Sequence, residues 1–476
     1  GRMLEHYSLL KLLPITSELI HQMYKQLKQH PYGGFYMFNL PIFLIIDPDL
    51  IKTITVKDFE YFTDHRPIVP KEYGEDVWNN GLFSLQGQRW KEMRAKLSPA
   101  FTSSKMKTMF VLISECCKQL VVFLEECQQN ISGSECNISK EGNMLVLELK
   151  EFFTRYTNDV IATTAFGIGV NSLKHPKNDF FVKGQEATGL KQWRFFALLA
   201  FPLMAMLKMR IISDKVTEFF RSLVLETMNT RDKQGIVRPD MLQLLMEAKK
   251  NSLQDENSND KNQKTKLDDE DIIAQALLFF LAGFDTASTL LCFISYELAM
   301  HPDVQRKLQD EVDKSLEENG GKFTYEAVNN MKYLDMVVSE TLRMYPPAGA
   351  VDRLCTKRYT LKADPPLEFF PGDNLFIPIY GLHLDPKYYD DPEKFDPERF
   401  SDENKHKIHP FAYLPFGVGP RSCIGNRFAL METKLVLVYM LSDFNLKPIN
   451  KTPKTIRIIQ KGFNMSIAGG FWMVCA

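Results

Sequence analysis

Strand-like patterning comes first along the chain, in Gly34-Phe35-Tyr36-Met37-Phe38 and Ile42-Phe43-Leu44-Ile45-Ile46, until Asp47-Pro48 breaks it. From about Lys105 to Lys250 the apolar positions recur with helical spacing, interrupted at Pro176, at Pro202 and by a polar stretch from Gln128 to Ser139. Residues 249–270 are almost wholly polar and predict an exposed loop. Helix is expected again from Asp268-Asp269-Glu270-Asp271, whose carboxylates suit the positive end of a helix. It should run to about Met300, where His301-Pro302 stops it, a length of about 50 Å at 1.5 Å per residue. Beyond Pro346-Pro347 proline, glycine and aromatic residues predict short strands and turns, with one more helix after Cys423 and a strand-rich tail. No internal repeat is present.

Ala276–Tyr296 is the one stretch apolar enough to be considered as a membrane span. An ionised Asp285 near its middle would be costly in lipid, and the helix begins abruptly in acid. A buried core helix with a functional polar break fits better.

Composition adds bounds. With 476 residues the chain is long enough to bury a large core, and length alone would suggest about three domains at ~150 residues each. Lys plus Arg total 58 against 59 acidic residues, which excludes the basic excess that nucleic-acid partners require. Arg89, Lys91, Arg94, Lys96, Lys105 and Lys107 nevertheless cluster, and a solvated face is the ordinary explanation. Eight scattered cysteines form no C-x-x-C pair or framework, which fits a reducing compartment without disulfides. Asn130-Ile131-Ser132 and Asn137-Ile138-Ser139 match the glycosylation pattern, a match that is common by chance. The first residues, Gly1-Arg2, carry no signal peptide and no initiating Met, as a truncated chain would.

The most informative stretch is Phe416-Gly417-Val418-Gly419-Pro420-Arg421-Ser422-Cys423-Ile424-Gly425-Asn426-Arg427. Two glycines and a proline force a tight turn before Cys423, and an amphipathic run starts after it, so the thiol lies near a helix N-terminus that favours thiolate. Haem iron bound to such a sulfur has electron density pushed toward O–O cleavage. Glycines let the loop approach a flat macrocycle, and Arg421 lies within reach of a propionate. A lone free cysteine is usually a buried structural residue. The joint spacing of Phe416, Gly419, Arg421, Cys423 and Gly425 reverses that expectation.

In these residues the chain resembles the cytochrome P450 family, whose signature is Phe-x-x-Gly-x-Arg-x-Cys-x-Gly, and the family's other motifs follow in order over nearly the whole chain. The resemblance implies a mainly α fold with a smaller β-rich region, a single catalytic domain over 1–476, and haem b (iron protoporphyrin IX) as cofactor, with Cys423 as its metal ligand and Phe416 and Gly425 beside it. Glu340 and Arg343, three apart on one helix face, would otherwise be a surface pair worth ~0.2–0.5 kcal/mol. The resemblance makes them a buried structural pair joined by Arg399. Trp90 and Arg94, four apart, share a helix face and can grip a propionate through indole N–H and guanidinium. The resemblance adds Arg353 as a second propionate ligand. Ala282-Gly283-Phe284-Asp285-Thr286 matches the family's oxygen-binding pattern. A glycine there admits small ligands, and the Thr286 hydroxyl can bond back to the preceding turn and widen it. Asp285 and Thr286 would then be catalytic, relaying protons to dioxygen, although both could merely cap and bend a core helix.

The aromatic stretch Trp193 to Met204, with Phe195, Phe196 and Phe201, falls where the family has a mobile pocket roof facing the membrane. Phe83, Phe284, Ala350, Val351 and Phe463 are further expected pocket walls, which implies a lipophilic small-molecule substrate. Leu97-Ser98-Pro99-Ala100-Phe101-Thr102 looks most like insect microsomal members that metabolise foreign compounds. Those relatives imply a membrane anchor and hinge before Gly1, a place on the cytoplasmic face of the endoplasmic reticulum membrane, and electrons from NADPH–cytochrome P450 reductase docking near Arg89–Lys107, with cytochrome b5 as an optional second donor. The expected reaction is insertion of one oxygen atom from O2 into a lipophilic compound. The competing readings are a haem-thiolate isomerase needing no reductase, a non-catalytic haem or ligand carrier, and a structural protein with an incidental cysteine; the Asp285-Thr286 pair argues against the isomerase.

Overall fold

The computed structural model describes residues 17–37, 40–67, 76–129, 138–141, 144–188, 213–254, 267–461 and 464–476. Helix predominates among them, with short strands, as expected for a mainly α protein. The chain divides into two compact units. The smaller comprises the described parts of Gly1–Ile68, Asp335–Ile424 and Ile458–Ser466, and the larger those of Val69–Leu334, Gly425–Arg457 and Ile467–Ala476.

The smaller unit is built on a four-stranded sheet. Tyr32–Met37 and Leu40–Ile45 form an antiparallel hairpin, the two strands anticipated from their apolar patterning. Leu40–Ile45 then runs parallel to Asn374–Ile377, which pairs antiparallel with Val351–Leu354 and sets Arg353 opposite Leu375. Ile42, Leu44, Ile45, Leu375 and Ile377 are buried, so the inner face of the sheet is the core of this unit. Asp47-Pro48 does more than end a strand. The Asp47 carboxylate accepts from the amides of Asp49 and Leu50 and caps the helix Pro48–Lys52, with proline at its first position. The helix Ser17–Leu27 buries Leu19, Ile20, Met23 and Tyr24 on one face, and the Tyr24 hydroxyl donates to Asp385 at 2.5 Å.

Within this unit Glu340 and Arg343 are fully buried on the helix Lys332–Met344. Two guanidinium nitrogens of Arg343, Nε and Nη2, donate to the two carboxylate oxygens of Glu340 at 2.7 and 2.8 Å. Arg399 Nε reaches Glu340 Oε1 at 3.3 Å, and the Asp396 amide donates to the same oxygen at 2.9 Å. Burial pushes the Glu340 pKa up, and the hydrogen bond from Arg343 only partly offsets it, as befits an ion pair removed from water.

The larger unit is organised around the helix Asp269–Met300, with Asp268 as its N-cap and its end at His301, close to the expected bounds. Nearly every side chain from Asp271 to Ala299 is buried, so this apolar helix is a core element. Burial relaxes only at Leu278 and around residues 281–286, where Ala282 is exposed. The helix Leu149–Ile161 packs along it, and the helices Ser103–Gln129 and Asn426–Leu441 pack on each other in the same unit. A second sheet pairs Ile138–Glu141, Met144–Glu148, Trp472–Cys475 and Leu446–Pro448. The expected loop from residue 249 begins later, because the helix Met241–Gln254 continues into the polar stretch. Lys249 and Lys250 are held there by ion pairs to Asp269 and Asp232, long-range partners that local polarity does not reveal.

Replacing Glu340 with alanine leaves the Arg343 charge buried without its carboxylate, so unfolding free energy should fall by about 3–5 kcal/mol. Arg399→Ala removes a longer contact from a side chain that is 11% exposed, and should cost clearly less. Denaturant titration followed by circular dichroism checks both, and equal losses would contradict this ranking.

Candidate functional site

In the smaller unit, residues 414–423 form a loop fixed mainly by its own backbone. The Gly417 amide donates to Leu414 O at 3.0 Å, Ser422 to Gly419 O at 2.9 Å and Cys423 to Phe416 O at 2.8 Å. Gly417 and Gly419 sit at φ +71° and +72°, the left-handed region. A Cβ on Gly419 would also strike the Thr55 carbonyl, so both glycines are required by the turn itself. The loop ends with the Cys423 thiol exposed. The other cysteines among the described residues, 116, 117, 127, 292, 355 and 475, are all buried. Burial drives the thiol pKa up to about 11 at Cys355 and about 12 at Cys475, the ordinary fate of a structural cysteine.

Two buried guanidinium groups, one on the loop and one beside it, brace it within the same unit. Arg353 donates from Nη1 to Asp352 O at 2.7 Å and from Nη2 to Val418 O at 3.0 Å. Its Nε is buried with no hydrogen-bond partner. Burial lowers its pKa to about 10. Such a group calls for an acceptor, and a carboxylate such as a haem propionate meets that need. Arg421 already has partners within the protein. Its Nε donates to Thr63 O at 2.7 Å and its Nη2 to the Asp64 carboxylate at 3.3 Å, so much of its charge is answered by protein. These bonds tie the loop to the segment around Thr63. Asp352, although burial opposes it, is kept below the usual carboxylate range by His65, whose Nδ1 lies 2.8 Å away, and by the Arg66 amide. Asp64, His65 and Asp352 were not anticipated, since their partners lie about 290 residues or more away in sequence.

In the larger unit the helix Gly87–Leu97 carries Trp90, buried, and Arg94, half-buried, on one side. Arg89 pairs with Asp271 at 2.8 Å and Lys107 with Glu326, so the basic cluster is partly committed within the protein, while Lys91 is exposed. Gln275 accepts from the Leu82 amide at 2.9 Å and donates to Asn80 O at 2.7 Å, which ties the segment bearing exposed Phe83 to the central helix.

The polar break in that helix is elaborate. The Thr286 hydroxyl donates to Ala282 O at 2.6 Å, the back-bond its sequence position allows. Thr157, from the helix Leu149–Ile161, donates to Phe284 O at 2.7 Å. Lys150, also from that helix, places its ammonium 2.5 Å from the Asp285 carboxylate, 2.7 Å from Ser288 Oγ and 2.8 Å from Thr289 Oγ1. A lysine in the first turn opposes the helix dipole, which is the one sequence signal that marks Lys150 as special.

Two expectations in this stretch change. The space a Cβ on Gly283 would occupy is filled by Ile161, so glycine there allows helices to approach, and Ala282 is the exposed neighbour. Phe284 is no pocket wall. It is buried among phenylalanines, with ring centroids 5.1 Å from Phe280 and 6.0 Å from Phe181. Gly425, at φ −94°, has nothing closer to its missing Cβ than Phe101 at 3.7 Å, so the described protein alone does not demand glycine there. Ala350 and Val351 are half-buried beside the smaller unit's core, and Phe416 is half-buried in the loop. Phe195, Phe196, Phe201 and Phe463 lie outside the described residues.

Comparison with known proteins identifies the family. The family model described as Cytochrome P450 matches residues 4–472. The chain is 58% identical to cytochrome P450 9e2 of Blattella germanica over 96% of this chain and 87% of that protein. It is 42% identical to the probable cytochrome P450 9f2 of Drosophila melanogaster, over 96% of this chain and 88% of that one. A third relative, cytochrome P450 6k1 of Blattella germanica, is 37% identical over 95% and 86%. The chain belongs to the cytochrome P450 family, the monooxygenases that use haem b, O2 and NADPH-derived electrons delivered by a reductase to oxidise lipophilic compounds.

Proposed function

We propose that Cys423 is the thiolate ligand of the haem, that Arg353, Trp90 and Arg94 answer its propionates, and that Arg421, anchored on Asp64, holds the ligand loop. Phe416, Gly425 and Ala282 are assigned to its immediate surroundings, and residues 1–476 to one catalytic domain, since the family match runs unbroken through both units. The observation that carries this reading is the exposure of Cys423 on a glycine-pinned loop while the other described cysteines are buried. Haem, when bound, supplies the redox chemistry of oxygen activation; the protein supplies ligand, charge and protons.

Asp285 and Thr286 are the proton-handling pair in this reading. Because the Thr286 hydroxyl donates to Ala282 O, its oxygen keeps lone pairs free to accept a hydrogen bond from solvent. Lys150 anchors the Asp285 carboxylate beside it. A lysine swinging between this carboxylate and water, or a water bridging it, would open the route by which protons enter. The half-exposed Asp285 and Thr286 and the exposed Ala282 leave this turn open to solvent and ligand. Phe83, Ala350 and Val351 are retained as pocket residues, and foreign lipophilic compounds as substrates. The cytoplasmic face of the endoplasmic reticulum membrane is the proposed site, with cytochrome b5 as a second donor.

Asp285→Asn should lower product formed per NADPH by about 100-fold or more while peroxide per NADPH rises, the range for lost general-acid help. Lys150→Met should fall between this variant and the native protein. Measuring NADPH, peroxide and product together checks both; unchanged coupling in Asp285→Asn would remove the relay assignment. Neutralising Lys91 and Lys96 should slow reduction by the reductase ~10-fold at low salt, with the difference fading as salt rises and substrate affinity unchanged. Stopped-flow reduction rates that do not move would place reductase docking elsewhere.

A further inference from the structure

Between the buried Arg343 and the loop that carries Cys423 lies His383, itself fully buried in the smaller unit. It closes the short helix Ile379–His383. Its carbonyl accepts from Arg343 Nη1 at 2.8 Å, and its Nδ1 lies 3.0 Å from Arg343 O. Its Nε2 lies 2.8 Å from the amide nitrogen of Leu414, the first residue of the ligand loop. A backbone N–H can only donate, so Nε2 accepts and the ring proton sits on Nδ1, donating to Arg343 O. Burial, and then the neighbouring Arg343 charge, hold the His383 pKa down at about 3, which keeps that Nε2 lone pair available at neutral pH.

The surroundings keep the ring in one orientation. Tyr413 stacks on it with centroids 5.4 Å apart and planes at 25°, and the Tyr413 hydroxyl donates to Ser339 O at 3.0 Å. Tyr389 donates to Ala412 O at 3.1 Å. Three consecutive residues, Ala412 to Leu414, are therefore tied down: Tyr389, whose ring lies 5.1 Å from the Arg343 guanidinium, reaches Ala412, and His383 carries the hydrogen bonds from Arg343 to Leu414, where the loop begins. From there the path is continuous: Leu414 O accepts from Gly417, and Phe416 O accepts from Cys423.

We infer that His383 is a positioning residue for the haem ligand, a neutral imidazole latch that passes the rigidity of the buried Glu340–Arg343 pair to the Cys423 loop. The inference rests on Cys423 being the thiolate ligand. It assigns His383 a separate task from Glu340 and Arg343: they fix the fold, and it fixes the register of the loop on that fold.

Two substitutions divide the ring's two bonds. His383→Gln can place an amide oxygen where Nε2 accepts from Leu414, and His383→Asn can place an amide N–H where Nδ1 donates but cannot reach Leu414. The purified haem-loaded protein is read in two ways: hydrogen–deuterium exchange of residues 411–418, and the rate at which mild urea converts the thiolate-type band of the reduced carbon monoxide complex to the blue-shifted band of protein without thiolate ligation. In His383→Asn both rates should rise at least ~10-fold, the expected effect of one lost buried hydrogen bond, with exchange in Asn374–Ile377 unchanged. His383→Gln should stay within about 3-fold of the native protein, as expected when the acceptor is retained. Equal behaviour of the two variants, exchange rising equally in the sheet, or failure of both to fold would overturn the latch. A native protein lacking the thiolate-type band would instead retire Cys423 as ligand and leave the exchange comparison standing.

Discussion

A sulfur that must stay exposed cannot be held by packing, so its position depends on the backbone that carries it. This is the constraint under which the smaller unit is built. The Cys423 loop spends its amides on its own carbonyls, and its two left-handed glycines are made obligatory by the turn and by the Thr55 carbonyl. Arg353 and Arg421 then tie the loop to the strand Val351–Leu354 and to the segment around Thr63 through Val418 O, Thr63 O and Asp64. Buried charge is costly unless paired, and here each buried guanidinium is used as a brace. The orphaned Arg353 Nε is the exception, and it is the polar group that an anionic cofactor would satisfy.

The larger unit solves the opposite problem. Its central helix is apolar enough to cross a membrane, yet it is packed inside protein, and its mid-helix polar groups fall within about two turns. There the carbonyls of Ala282, Phe284 and Asp285 accept side-chain donors from Thr286, Thr157, Thr289 and Lys150. Supplying two of these donors, Thr157 and Lys150, from a neighbouring helix lets a carboxylate and a hydroxyl reside on a core element without stranding either.

What could be read from sequence divides along a physical line. Features set by local spacing were legible: the bounds of the central helix, the paired early strands, the glycine turn before Cys423 and the back-bond of Thr286. Features set by distant partners were not. Nothing near Arg421 announces Asp64, and nothing near Lys249 announces the Asp269 that helps carry its helix into a polar stretch. Phe284, expected as a pocket wall, precedes Asp285, but successive helical residues point about 100° apart, and its direction is into the phenylalanine cluster. Gly283 looked like room for a ligand and is room for Ile161. Lys150 left one trace, a cation at the wrong end of a helix, whose meaning depends on Asp285 135 residues away.

Every proposed role in the smaller unit depends on Cys423 binding haem iron, and the carbon monoxide difference spectrum of reduced, haem-loaded protein reads such a bond directly. The native chain should give the long-wavelength band characteristic of thiolate ligation, and Cys423→Ala should lose it while remaining folded by circular dichroism. A thiolate-type band that persisted after Cys423→Ala, or a native protein that took up no haem, would contradict it.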